Sequence, residues 1–337
     1  IWDTHRDMIL RDSFINDKVF SIDQISSFGK KGIGNEKIYN QGYSIASYLT
    51  DRFGYSIFKT ITDAISSPIN YSFASAVKKA TDITIDQIYS DWYDSTSNNY
   101  KSFKGRDNVT GNILIDDGTV NIHPTWSPEN DQFAYLSNSE KDYFGQTDLY
   151  VYNFSDSSSK KIDSGVFSAP AWINDSTLVY SKRSKPNKQG SRFYDLYANK
   201  TIGKKNKPIR LSVDMRLTSP IINEAGNKIA AVGILDGTSN IYEADFNPDS
   251  LDSIDFKQIT NLSNGEKIFS LCYKKMDIIF DVLDRDHGRD LYLLNYEDKS
   301  LKANSQDIWD ERDPSFNDSV LVYSSDLNGI YNLYVSN

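Results

Sequence analysis

At 337 residues the chain is long enough for two domains, and its net charge of −9 without a basic reader motif disfavours a nucleic-acid binder. One cysteine, Cys272, excludes an intrachain disulfide, and its place in an apolar stretch predicts an inert buried thiol. No run of about twenty apolar residues is present to cross a membrane as a helix.

The N-terminal third is helical in pattern. Tyr39 to Phe53 places Tyr43, Ala46, Leu49 and Phe53 on one face at helical spacing. Ser56 to Ile65 continues with Ile57, Ile61 and Ile65, and the stretches Phe73 to Ala80 and Ile85 to Tyr93 keep the same period. Two capping boxes punctuate the run, Ser21-Ile22-Asp23-Gln24 and Thr84-Ile85-Asp86-Gln87. Gly54 and Pro68 break helices. These signals predict an α-helical domain over 1–104, closed by a polar linker.

Within it, the segment from Tyr39 to Gly54 (YNQGYSIASYLTDRFG) resembles Tyr-x-x-Gly-x-Ser-x-x-x-Tyr-Leu-x-x-[Arg/Lys]-[Tyr/Phe]-Gly. That pattern lies late in the peptidase MA-like (gluzincin-type) domains that often precede TolB-like propellers. The later Phe73-Ala74-Ser75-Ala76 and Ile83 to Trp92 resemble the closing helices of that family. The resemblance implies zinc held by His-Glu-x-x-His and a downstream Glu. The histidines here are His5, His123 and His287, and no such motif exists. The expectation is therefore that any zinc-binding half precedes Ile1.

From Ile122 onward one pattern recurs five times over 105–337. A Pro or its equivalent leads through an aromatic and a turn into an apolar strand, and a second strand then opens Asp/Asn-Leu/Ile-Tyr. The recurring tyrosines are Tyr150, Tyr197, Tyr242, Tyr292 and Tyr334, separated by 47, 45, 50 and 42 residues. That period matches a four-stranded propeller blade. Phe133, Tyr135, Leu149 and Val151 alternate as pleated strands do, and Asp236-Gly237, Asp284 to Gly288 and Asp326 to Gly329 supply turns. A single blade cannot cover both its faces, so blades stack around an axis.

Pro124-Thr125-Trp126-Ser127-Pro128-Glu129 and Ser325 to Tyr334 resemble the blade motif of the TolB-like, WD40-like (PD40) propellers. The fourth repeat departs most, with Ser270-Leu271-Cys272-Tyr273 where Pro-x-Trp is expected. The expected fold is mainly β, an incomplete TolB-like β-propeller of five recognisable blades after an α-helical domain. The chain starts without Met and stops within a strand, so further blades are expected after Asn337. Gly111 to Ile115 is a candidate outer strand closing the ring. The family resemblance implies a bacterial periplasm or cell surface.

Candidate chemistry is sparse. His5, between Asp3 and Asp7, and His287, in Asp284 to Gly288, read first as capping, surface or turn residues and second as metal ligands. Ser44 in Gly42-Tyr43-Ser44-Ile45-Ala46 nearly matches a nucleophile elbow but sits mid-helix. Asp148, Asp195, Asp290 and Asp326 could hold calcium, though capping of turns is the stronger expectation. One stretch opposes the acidic background. Lys182, Arg183, Lys185, Lys188, Arg192, Lys200, Lys204, Lys205, Lys207 and Arg210 face one carboxylate, Asp195. A solvated face is the bland reading, and an anionic partner the functional one: an acidic protein, an envelope polymer or lipid headgroups. The leading expectation is a non-catalytic module binding a protein or peptide in the cell envelope, with no catalytic, cofactor or metal residues of its own. The alternative is a substrate-positioning part of a zinc metallopeptidase.

Overall fold

The structure is a computed structural model in which residues 4–25, 33–66, 72–104, 111–143, 145–203, 206–251, 254–286, 288–304, 306–317 and 319–336 are described, 33–36 by backbone alone. Pro68 lies outside the described residues. The chain divides into two compact units, 1–111 and 112–337.

Among the described residues the first unit holds six α-helices: α1 (Thr4–Ile15), α2 (Ile22–Ile25), α3 (Ile33–Phe53), α4 (Ile57–Ile65), α5 (Phe73–Thr81) and α6 (Ile85–Tyr100). Its core joins Leu49, Ile57, Ile61, Val77 and Ile88. A second cluster sets Leu10 and Phe14 of α1 against the fully buried Trp92. The stripe expected on α3 is displaced: Tyr43 is 49% exposed, while Gln41 is fully buried. The Gln41 amide accepts from Phe20 N and donates to Phe20 O, both at 2.9 Å, so two backbone groups claim a position that hydropathy assigns to the surface. The box at Ser21 closes both ways. At Thr84 only half forms, because the Gln87 side chain turns to Asp91 instead.

The second unit is a five-bladed β-propeller, which makes the chain mainly β with helices at its N-terminal side. Blade 1 is β1 (Asn121–Trp126), β2 (Gln132–Ser137), β3 (Asp148–Asn153) and β4 (Ser158–Ser164). Blade 2 is β5 (Ala171–Asn174), β6 (Thr177–Arg183), β7 (Tyr194–Lys200) and β8 (Ile209–Arg210). Blade 3 is β9 (Leu217–Ile222), β10 (Lys228–Leu235), β11 (Thr238–Asp245) and β12 (Lys257–Gln258). Blade 4 is β13 (Lys267–Lys274), β14 (Asp277–Leu283), β15 (Arg289–Leu294) and β16 (Leu301–Ala303). Blade 5 is β17 (Glu311–Asn317), β18 (Val320–Ser325) and β19 (Asn332–Ser336). All pairings are antiparallel and sequential. The stretch 111–120 forms no strand, and blade 5 has three strands among the described residues. Asn138 captures the backbone N–H groups of Thr119 and Val120, and Ile115 packs on Phe133 and Tyr135 of blade 1, which draws that segment away from a ladder.

Each recurring tyrosine opposes a residue of the neighbouring strand: Tyr135 with Tyr150, Tyr180 with Tyr197, Ala231 with Tyr242, Phe280 with Tyr292 and Tyr323 with Tyr334. Cross-strand pairs of this kind stabilise sheets. The inner strands bulge where the repeat places Pro, with positive φ at His123, Ser219 and Asp313. Blade 4 lacks that Pro and bulges at Phe269-Ser270 instead. There the buried Asp281 accepts from Phe269 N and Ser270 N, and also from Asp313 N of the next blade, each at 3.1 Å. A carboxylate thus does for blade 4 what Pro does elsewhere.

Candidate functional site

In blade 2 the chain rises along β6 and descends along β7, so the β6–β7 and β7–β8 connections leave opposite ends of the sheet. This geometry divides the basic stretch. Arg183, Lys185, Lys188 and Arg192 belong to the β6–β7 end, whereas Lys200 and Lys207 belong to the β7–β8 end. Lys204 and Lys205 lie outside the described residues. Seven residues of β7 separate the groups by roughly 20 Å, more than twice the Debye length of about 8 Å at physiological salt. They act as separate electrostatic features.

Two of the cations are neutralised in place. Lys182 donates to both oxygens of Asp163 at 2.8 Å, and Arg210 pairs with Asp195 and Asp214. Arg183, Lys185, Lys188 and Arg192 form no ion pair with another described residue. The hairpin that carries them is built rather than loose. Ser184 N donates to Phe193 O at 2.8 Å, and Asn187 Oδ1 accepts from Gln189 N and Ser191 N. Arg183, opposite Tyr194 in the ladder, holds its guanidinium 5.4 Å from that ring's centre. Arg216, from the β8–β9 connection at the same end, lies 4.6 Å over Phe193. Such stacking orients a cation without cancelling its charge. Arg216 gives no signal in the sequence, because it stands alone beyond the basic run.

Beside this hairpin, between blades 1 and 2, opens a cleft of about 480 Å³ lined by Lys141, Gln146, Thr147, Val166, Phe167, Arg183 and Tyr194. Phe167 is 55% exposed although its ring centre is 4.5 Å from that of Tyr194. At the floor, Asp148 accepts from Gly165 N at 3.0 Å and pairs with both Lys141 and Lys161. Burial pushes the Asp148 carboxyl up, but Lys161, the Gly165 N–H and Lys141 outweigh it and hold the group below the usual range. The cleft is thus basic on its blade 2 lip and aromatic inside.

The other candidates take structural parts. Asp195 accepts from Asp214 N and Met215 N, and Asp326 from Asp310 N, which supports capping. Asn240 does the same for Leu262 N in blade 3. Ser44 lies in α3 and accepts the Trp92 indole N–H at 3.0 Å. His5 is on α1, and His123 is at the β1 bulge. Asp3 and His287 lie outside the described residues. Cys272 is mostly buried, and burial pushes its thiol up to about 12, which suits an unreactive role.

The architecture defines the class as a β-propeller protein. No protein-family model matches the sequence, and no curated protein matches it. Similarity is found among solved structures, where it is one of fold. Hydrazine synthase from Kuenenia stuttgartiensis superposes with a TM-score of 0.51 at 12% identity, over 67% of this chain and 38% of that one. A putative TolB from Agrobacterium tumefaciens gives 0.45 at 18% identity, over 61% and 70%. The β-propeller domain of the Trilobed protease from Pyrococcus furiosus gives 0.46 at 12% identity, over 64% of each chain.

Proposed function

We propose that this protein is a binding module whose propeller engages an acidic protein or peptide through the β6–β7 end of blade 2. The observation that carries this reading is the group of cations, Arg183, Lys185, Lys188, Arg192 and Arg216, displayed without carboxylate partners among the described residues on a chain of net charge −9. Interspersed aromatic faces favour a polypeptide partner over a featureless polyanion. The sequence resemblance to TolB-like propellers supports a bacterial periplasm or cell surface as its location.

The test is fluorescence polarisation with a labelled oligoglutamate at low and high salt. The expected result is salt-sensitive binding that falls about tenfold or more in the triple variant Lys185→Glu, Lys188→Glu, Arg192→Glu. The double variant Lys200→Glu, Lys207→Glu, at the far end of the same sheet, should bind as the unmodified protein does. Equal losses in both variants would mean that only overall charge matters, and the assignment would fail.

A further inference from the structure

Resting on that reading, we infer that the cleft between blades 1 and 2 recognises a specific peptide chemistry: an aromatic or large aliphatic side chain flanked on one side by carboxylates. The apolar residue lies on the Phe167–Tyr194 ring pair, and the adjacent carboxylate meets Arg183.

Four observations lead here. The cleft volume of about 480 Å³ falls within the usual range for small-ligand sites, about 300–1,000 Å³. Its aromatic wall is left open: Phe167 stays 55% exposed in a concave setting, where an incoming apolar group would remove both surfaces from water. Arg183 is stacked on Tyr194 and makes no ion pair with a described residue, so its planar fork is oriented and available for a carboxylate.

The fourth observation is the state of the backbone. Val166 N donates to Thr147 O, Thr147 Oγ to Val166 O, Phe167 N to Ser181 O and Gly165 N to Asp148. These groups along the floor are already engaged, so the cleft offers side-chain recognition and not an edge for strand addition.

The lips also differ in sign. Lys185, Lys188 and Arg192 stand on the blade 2 side, whereas the β2–β3 connection of blade 1 carries Glu140 and Asp142 around Lys141, which lines the cleft with its ammonium paired to Asp148. A bound peptide therefore lies with its carboxylates over blade 2 and a neutral or basic end toward blade 1. Reversing that arrangement moves the peptide's carboxylates away from the blade 2 cations and toward Glu140 and Asp142.

The experiment titrates the protein into labelled Gly-Phe-Asp-Glu-Asp-Gly and two relatives, one with Gly for Phe and one with Asn and Gln for the acids. The Phe peptide should bind at least about fivefold tighter than the Gly peptide, and the amide version should not bind measurably. Phe167→Ala should abolish the preference for Phe while keeping the salt-dependent affinity for the Gly peptide. Arg183→Gln should weaken both acidic peptides about tenfold. Should Phe167→Ala fail to fold, the peptide-side exchange reads the same contact in the unmodified protein. Equal affinity of the Phe and Gly peptides, with Arg183→Gln unchanged, would overturn the cleft assignment and leave the broader binding reading standing. Absence of binding to every acidic peptide at low salt would overturn both.

Discussion

The Tyr242 ring lies directly against Gly233, so close that a Cβ on the glycine would sit 2.5 Å from Cε2 and 2.7 Å from Cδ2 of that ring. The other blades place an aromatic opposite the recurring tyrosine. Centroids lie 5.6 Å apart for Tyr135 and Tyr150, 6.1 Å for Phe280 and Tyr292, and 5.9 Å for Tyr323 and Tyr334. In blade 3 the opposing residue is Ala231, and the ring falls instead across the diagonal onto a residue with no side chain. The expected outcome of Gly233→Ala is a loss of about 1–3 kcal/mol in urea denaturation. Tyr242→Ala should recover part of that loss in the double variant, because the two positions share one contact. Strict additivity would show that the contact is not the cause.

Asp281 and Arg289 form a buried pair at 2.6 Å, and Asp281 also joins the bulge of blade 4 to Asp313 of blade 5. Removing one partner leaves a charge without its counterion in a dry setting. Arg289→Met should therefore cost roughly 3–5 kcal/mol by chemical denaturation. A cost below about 1 kcal/mol, typical of an exposed pair, would contradict the burial.

Asp290, the second residue of β15, stands at the position that Asn240 occupies in blade 3. Burial pushes its carboxyl up to about 6; the Asp307 N–H opposes this, and Glu311, Asp307 and Asp284 add to it. The folded value lies above the ordinary carboxyl value of 3.8, so the folded state binds the proton more tightly. The stability contributed by this group is then greatest below about pH 4 and is lost as pH rises through about 6. Asp290→Asn should raise the midpoint of thermal unfolding by a few degrees at pH 7.5 and leave it unchanged near pH 4. A pH-independent effect would assign the gain to packing.

Zinc supplies a direct test of the helical unit. The sequence holds no His-Glu-x-x-His, and its histidines are far apart in the chain. Elemental analysis of the purified chain should find no stoichiometric zinc, and chelator should leave its unfolding midpoint unchanged. One tightly held zinc per chain would refute this.

Much of the architecture is legible before any coordinates. A period of 42 to 50 residues can be satisfied by few folds, and the Asp/Asn-Leu/Ile-Tyr signature opens β3 and β19, begins one residue into β7 and β15, and lies within β11. Helices α3 to α6 follow from periodicity, and the start of α6 also from its Thr84 cap. Helix α1 does not, because its burial depends on three residues, Leu10, Ser13 and Phe14, too few to make a stripe. The buried Gln41 is likewise invisible, since its partner Phe20 is remote in the chain.

By itself the sequence determined the repeated strands, the turns between them and the supply of cations, because each depends on residues within a blade's length. Only the tertiary structure decided which cations remain available. Asp163 at the end of blade 1 neutralises Lys182, while Arg183, the next residue, points to an aromatic ring and keeps its charge. Strand reversal then carries Lys200 and Lys207 to the far end of the sheet. Charge pairing and strand direction act through space, so a run of lysines and arginines shows how much charge there is and not where it is felt.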